Sequence, residues 1–153
     1  MNKALNNEVF NYILITLYLL VGFVPNFTAI DKVAPQFLYL SILNIFTLIY
    51  LISTLGFFEV YRYTFKKNFV VFLLFLFWAW GLLSLLHAIN KSEVLIESSR
   101  ILVYIYSYIN LLILIKWTKI DLKKVSILFS IILGMEVLSV FIRLYGLYIS
   151  NYD

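Results

Sequence analysis

The chain has 153 residues, of which 63% are hydrophobic and only 13% charged, with a formal net charge of +4. Soluble domains run nearer half apolar and about a quarter charged, and a chain this short cannot bury several helices that are apolar on every face. With no cysteine, one histidine and scattered glycines, the sequence excludes disulfides and thiolate chemistry, gives little scope for an imidazole zinc site, and contains no glycine-rich phosphate loop.

Lipid is the solvent that remains, and five apolar segments are drawn for it. They cover residues 9–24, 35–58, 68–89, 94–117 and 125–149. About 20 residues at ~1.5 Å rise cross the hydrocarbon layer. Four segments meet that length; the first is marginal and ends at Pro25. It has Lys3 in front, but Glu8 lies beside the apolar run and no small-residue cleavage site follows, so it reads as a retained signal anchor. The runs lack the alternation of outer-membrane strands. The predicted fold is therefore all-α, a polytopic membrane helical bundle of about five transmembrane helices.

Lys and Arg orient the bundle. One side holds Lys3, Arg62, Lys66, Lys67, Lys116, Lys119, Lys123 and Lys124; the other holds Lys32, Lys91 and Arg100. The positive-inside rule then places the N-terminus in the cytoplasm. Residues 56–69 mix Phe57, Phe58, Tyr61, Tyr63, Phe65 and Phe69 with Arg62, Lys66 and Lys67. Such a mixture can stack on single-stranded nucleic acid. Between two spans it is better explained as an aromatic belt beside lipid headgroups, so membrane lipids are the expected partner and nucleic acid is not.

Three polar places need an explanation. Glu93, Glu97 and Arg100, with Ser98 and Ser99, open the fourth segment, and their spacing lets the charged groups share one helix face. Arg100 either neutralises itself against Glu97 or helps hold an anionic group such as a lipid-linked phosphate, which its planar fork suits; the pair is the more economical reading. Glu136 lies near the middle of the fifth segment, with Arg143 seven residues later. Two turns return to nearly the same face, so the two meet, pair with other helices, or Arg143 snorkels to the surface. Glu136 fits either proton carriage or helix packing, with packing favoured. His87, beside Asn90 and Lys91, reads as a solvated interfacial side chain, because nothing identifies a nucleophile or an orienting partner for it. No catalytic residue, metal ligand or cofactor site is assigned.

The stretch FLFWAWGLLSLLHAINKSEVLIESSRILVYIYSYINLLIL, residues 75–114, resembles the N-terminal part of bacterial O-antigen ligase and polymerase-like proteins. The shared landmarks are a Trp-rich helix ending in a Ser-containing turn, a short polar loop, and a helix opening near an Arg. DKVAPQFLYLSILNIFTLIYL, residues 31–51, looks like the Bacteroidota branch of that family. The resemblance implies a glycan transferase at the outer face of the plasma membrane. Its donor would be an undecaprenyl-diphosphate-linked polysaccharide and its acceptor a lipid or sugar, with no nucleotide or obligatory metal. The family's catalytic His and diphosphate-binding arginines belong mainly to later helices and a large outer loop, and those motifs are absent from these 153 residues. The expectation is an N-terminal membrane fragment without ligase activity of its own, in which Arg100 is at most an accessory contact. The alternative is a non-enzymatic membrane protein: a transporter or flippase fragment, or a scaffold subunit.

Overall fold

The computed structural model describes residues 2–25, 31, 33–66, 68–118 and 121–150. Lys32, Lys67 and Lys119 of the charge tally lie outside these residues, as do the side chains of Lys3, Lys66 and Arg143. Among these residues six α-helices follow in chain order: α1 (Asn2–Leu19), α2 (Ala34–Leu55), α3 (Phe57–Tyr61), α4 (Phe69–Leu83), α5 (Lys91–Thr118) and α6 (Leu122–Ser150). Short 3₁₀ turns extend α1 over Leu20–Phe23 and α4 over Ser84–Leu86, and a π-helical turn continues α3 over Arg62–Lys66. Among the described residues four helical stretches are long and apolar enough to cross a membrane: Ala34–Leu55, Phe69–Leu86, Lys91–Trp117 and Lys123–Ile142; the apolar part of the first helix, Glu8–Phe23, is shorter. The chain is a polytopic, all-α membrane protein.

The helix ends have local causes. Asp31 accepts the Val33 N–H on Oδ1 at 3.1 Å and the Ala34 N–H on its backbone carbonyl at 3.2 Å, and Pro35 stands in the first turn of α2. At the start of α5 Asn90 accepts the Glu93 N–H on Oδ1 and donates from its side-chain Nδ2 to Glu93 Oε2, both at 3.3 Å, so its side chain caps the helix and holds the carboxylate. Asp121 Oδ1 takes the Lys123 N–H at 3.0 Å before α6. The second span was expected to run to residue 58, but α2 ends at Leu55 because Gly56 adopts φ 84° and ψ 150°. That conformation is open to glycine and costly for other residues. It turns Phe57 and Phe58 into a separate amphipathic segment, in which Val60 and Thr64 are buried while Phe58 and Tyr61 stay exposed.

Packing centres on α1, α2 and α5. In their apolar windows 39% of α5 and 28% of α2 are buried, against 6% for each of α4 and α6, so α5 and α2 are the inner helices. Leu14 and Ile15 of α1, Leu51 of α2, and Ile113 and Leu114 of α5 are fully enclosed. α2 and α5 run in the same direction, since Asp31 before α2 meets Arg100 early in α5, and Asn44 meets Ser107 and Asn110 further along both helices. α4 lies on α5, fastened by the Trp78 indole N–H donating to the Ser98 carbonyl at 3.0 Å. α6 packs mainly on α1 and the 3₁₀ turn after it, with Val125 against the edge of the core. The broad apolar faces of α4 and α6 therefore meet lipid or other helices.

Candidate functional site

The first site is the charged cluster where α2 and α5 begin. Arg100 donates from Nη1 to Glu97 Oε1 at 2.5 Å and from Nη2 to Asp31 Oδ2. Its guanidinium carbon lies 5.0 Å from the centroid of the Phe37 ring, and that ring is edge-on to Tyr104 at 5.2 Å. The expected Glu97–Arg100 contact is formed. Asp31, 69 residues away, and the ring of Phe37 are additions that sequence spacing did not disclose. One guanidinium faces two carboxylates, so the cluster is net acidic. The Arg100 side chain is 20% exposed, whereas Asp31 and Glu97 are 43% and 56% exposed, so an approaching anion meets carboxylate before guanidinium. Chemically the cluster is a clamp between the segment before α2 and the start of α5. Glu93 does not join it but caps α5 with Asn90. Ser99 bonds back to the Ile96 carbonyl at 2.6 Å, and Ser98 is buried beneath Trp78.

The second site is a buried polar network between α1, α2 and α5. The Tyr18 hydroxyl donates to Asn44 Oδ1 at 2.8 Å. Asn44 Nδ2 donates to the Val103 carbonyl and to Ser107 Oγ, both at 3.0 Å. Asn110 Nδ2 lies 3.1 Å from the Tyr18 hydroxyl, 3.1 Å from the Asn44 carbonyl and 3.2 Å from Asn44 Oδ1. Thr47 stands beside Tyr18, and Asn11 faces the Tyr50 hydroxyl. Three helices thus share one amide-centred knot, in a medium where an unanswered polar group is costly. In the sequence its two amide members appear only as single Asn residues inside apolar runs, Asn44 of α2 and Asn110 of α5.

Glu136 is half-buried on α6 and abuts Gly22 in the 3₁₀ turn; a Cβ added at Gly22 would lie 2.9 Å from Glu136 Cδ and collide with the carboxylate oxygen. Glycine there admits the carboxylate. Arg143 is on the same helix, with its side chain outside the described residues. His87 is exposed just after the turn at Ser84–Leu86, its backbone N–H donating to the Ser84 carbonyl at 3.1 Å. Among the described residues no group of three or more His, Asp or Glu side chains could hold a metal ion. What the geometry displays is fastening, by a charged clamp at one end of the bundle and an amide knot within it. No family model, curated protein or solved structure matches the chain.

Proposed function

We propose that the chain is the membrane-embedded, non-catalytic scaffold of an O-antigen ligase-like glycan transferase, with the Arg100 end at the outer face of a bacterial plasma membrane. The observation that carries the scaffolding role is the clamp itself. Arg100 is held by Asp31, Glu97 and Phe37, which fixes the start of α5 against the segment before α2. The texture of residues 75–114 and the balance of Lys and Arg support the family and the orientation. On this reading chemistry is supplied elsewhere, and Arg100 reaches a diphosphate only by giving up a carboxylate. The test uses the purified chain in lipid nanodiscs with a fluorescent undecaprenyl-diphosphate-linked oligosaccharide and a lipid acceptor. Saturable donor binding, weakened about tenfold by Arg100→Gln, together with no transfer, is the expected result. Transfer by this chain alone would refute the non-catalytic role, and donor binding indifferent to Arg100 would refute the outer-face contact.

One observation favours a second reading. Glu136 is a carboxylate in an apolar helix, seated against Gly22, where a Cβ would collide with it. Intramembrane carboxylates serve proton coupling as well as packing. In a transporter, Glu136→Gln would abolish proton-coupled flux in proteoliposomes with the fold intact. Loss of folded protein in the same variant would assign Glu136 to packing.

A further inference from the structure

α2 stops at Leu55, Gly56 turns the backbone with φ 84°, and α3 with its π-helical turn follows before α4 begins at Phe69. Within this connection Val60 and Thr64 are buried against the bundle, the Thr64 hydroxyl donating to the Val60 carbonyl at 2.8 Å. Phe58, Tyr61, Arg62 and Phe65 are exposed together, and the Tyr61 and Phe65 rings lie 5.2 Å apart. Three rings and one guanidinium thus share the outward side. Water is a poor solvent for the rings, and hydrocarbon is a poor one for the guanidinium. The boundary between headgroups and acyl chains suits both.

Charge distinguishes this end of the bundle from the other. α2 and α5 run in the same direction, so the segment after α2 lies at the same end as the junction of α5 with α6. Lys116 of α5 and Lys123 and Lys124 of α6 are exposed there. Most of the chain's Lys and Arg belong to this end, against Glu8, Glu59 and Asp121. At the other end Lys32, Lys91 and Arg100 are matched by Asp31, Glu93 and Glu97. Arg62 itself donates from Nη1 to Glu59 Oε1 at 3.2 Å, between side chains that are each about half exposed. An exposed pair of this kind is weak, and it engages one nitrogen of a fork that carries five N–H donors. The fork keeps donors for a phosphate oxygen, a partner its planar geometry fits.

We propose that residues 57–66 form an interfacial anchor that holds the phosphate of an anionic phospholipid on Arg62, with the Phe58, Tyr61 and Phe65 rings seated among the upper acyl chains. The basic surroundings select the headgroup. A zwitterionic lipid brings its own ammonium into a field that is already positive, whereas an anionic lipid brings only the charge this end lacks. A docked protein would cover the rings as well. The segment, however, joins two helices that cross the membrane, which sets its rings at the boundary where lipid meets them first. The assignment is independent of the glycan reading, because the Arg100 clamp lies at the opposite end and either leaflet supplies the phosphate.

The test titrates the purified full chain in mild detergent with phosphatidylglycerol and with phosphatidylcholine of the same acyl chains, bound lipid being counted by native mass spectrometry. Phosphatidylglycerol should bind about tenfold more tightly, and Arg62→Gln should weaken it about fivefold while leaving phosphatidylcholine unchanged. Glu59→Gln breaks the same ion pair but keeps the cation, and should bind phosphatidylglycerol at least as tightly as the unaltered chain. In nanodiscs of the two lipids, a nitroxide on Tyr61→Cys should collide more often with dissolved oxygen, which concentrates in lipid, than with a neutral water-soluble nickel chelate. Equal affinity for the two lipids overturns the proposal. So does an Arg62→Gln variant that binds like the unaltered chain, or an equal loss in Glu59→Gln, which would make the ion pair a structural fastening. A nitroxide that meets the nickel chelate more often stands in water, and one shielded from both probes is covered by another protein chain; either result refutes the anchor.

Discussion

Asn44→Leu removes the centre of the amide knot while nearly preserving side-chain volume. The lost side chain takes part in four hydrogen bonds, with Tyr18, Val103, Ser107 and Asn110, over 2.8–3.2 Å. Hydrogen bonds between membrane helices are worth ~0.6 kcal/mol each on average, which gives a loss of about 2–3 kcal/mol. Some is recovered, because Ser107 still donates to the Val103 carbonyl at 2.9 Å and Asn110 still reaches the Asn44 backbone oxygen. Ser41→Ala on the same helix is the control: its hydroxyl bonds only the Phe37 carbonyl one turn back, at 2.7 Å, and its loss should cost less than about 0.5 kcal/mol. Reversible unfolding in mixed micelles of mild detergent and dodecyl sulfate measures both. A double-mutant cycle with Tyr18→Phe should then give a coupling of about 0.6–1.7 kcal/mol. If Asn44→Leu costs no more than Ser41→Ala, or the cycle shows no coupling, the knot does not hold the three helices together.

Further outcomes follow from single contacts. Gly22→Val places a side chain where Glu136 sits and should push α6 away, read as a longer distance between spin labels on α6 and α2; Gly134→Ala, with open space around its Cβ, should leave that distance unchanged. Gly56→Ala should cost about 1–3 kcal/mol because alanine resists φ 84°, whereas Gly81→Ala, inside α4 with nothing within 4 Å of the new methyl, should be neutral or stabilising. For the clamp, a cycle between Asp31→Asn and Arg100→Gln should give a coupling of about 0.5–1 kcal/mol. It should exceed that of the Arg62–Glu59 pair, whose side chains are 54% and 46% exposed.

The helical class and the apolar segments were legible because hydropathy is a sum over neighbours in sequence. Residues 94–117 read as a span and appear within α5, although the capping pair Asn90 and Glu93 starts the helix earlier, at Lys91. The break at Gly56 was missed for a physical reason: Phe57 and Phe58 continue the apolar run, and hydropathy carries no information on φ. At the charged end the local half of the cluster was readable, since Glu97 and Arg100 are three apart on one helix. The distant half was not, because Asp31 reaches Arg100 only once α2 and α5 lie side by side. The amide knot was hidden likewise. Its residues are ordinary singly, and their meaning lies in register between helices, which packing decides. For Glu136 the sequence left open a pairing with Arg143 or a contact with another helix; the Arg143 side chain lies outside the described residues, and the described neighbour is Gly22, on an element more than 100 residues earlier.

Cysteine accessibility tests the central claim, a bundle that crosses the membrane with its Arg100 end outside. The chain has no cysteine, so single substitutions report without background. Ile89, 106% exposed between α4 and α5, and Phe58, 84% exposed in α3, mark opposite ends of α4. A membrane-impermeant maleimide applied to intact cells should label Ile89→Cys, and should label Phe58→Cys only after the membrane is opened. Labelling of Phe58→Cys alone would invert the orientation, and labelling of both in sealed cells would contradict a membrane-crossing α4.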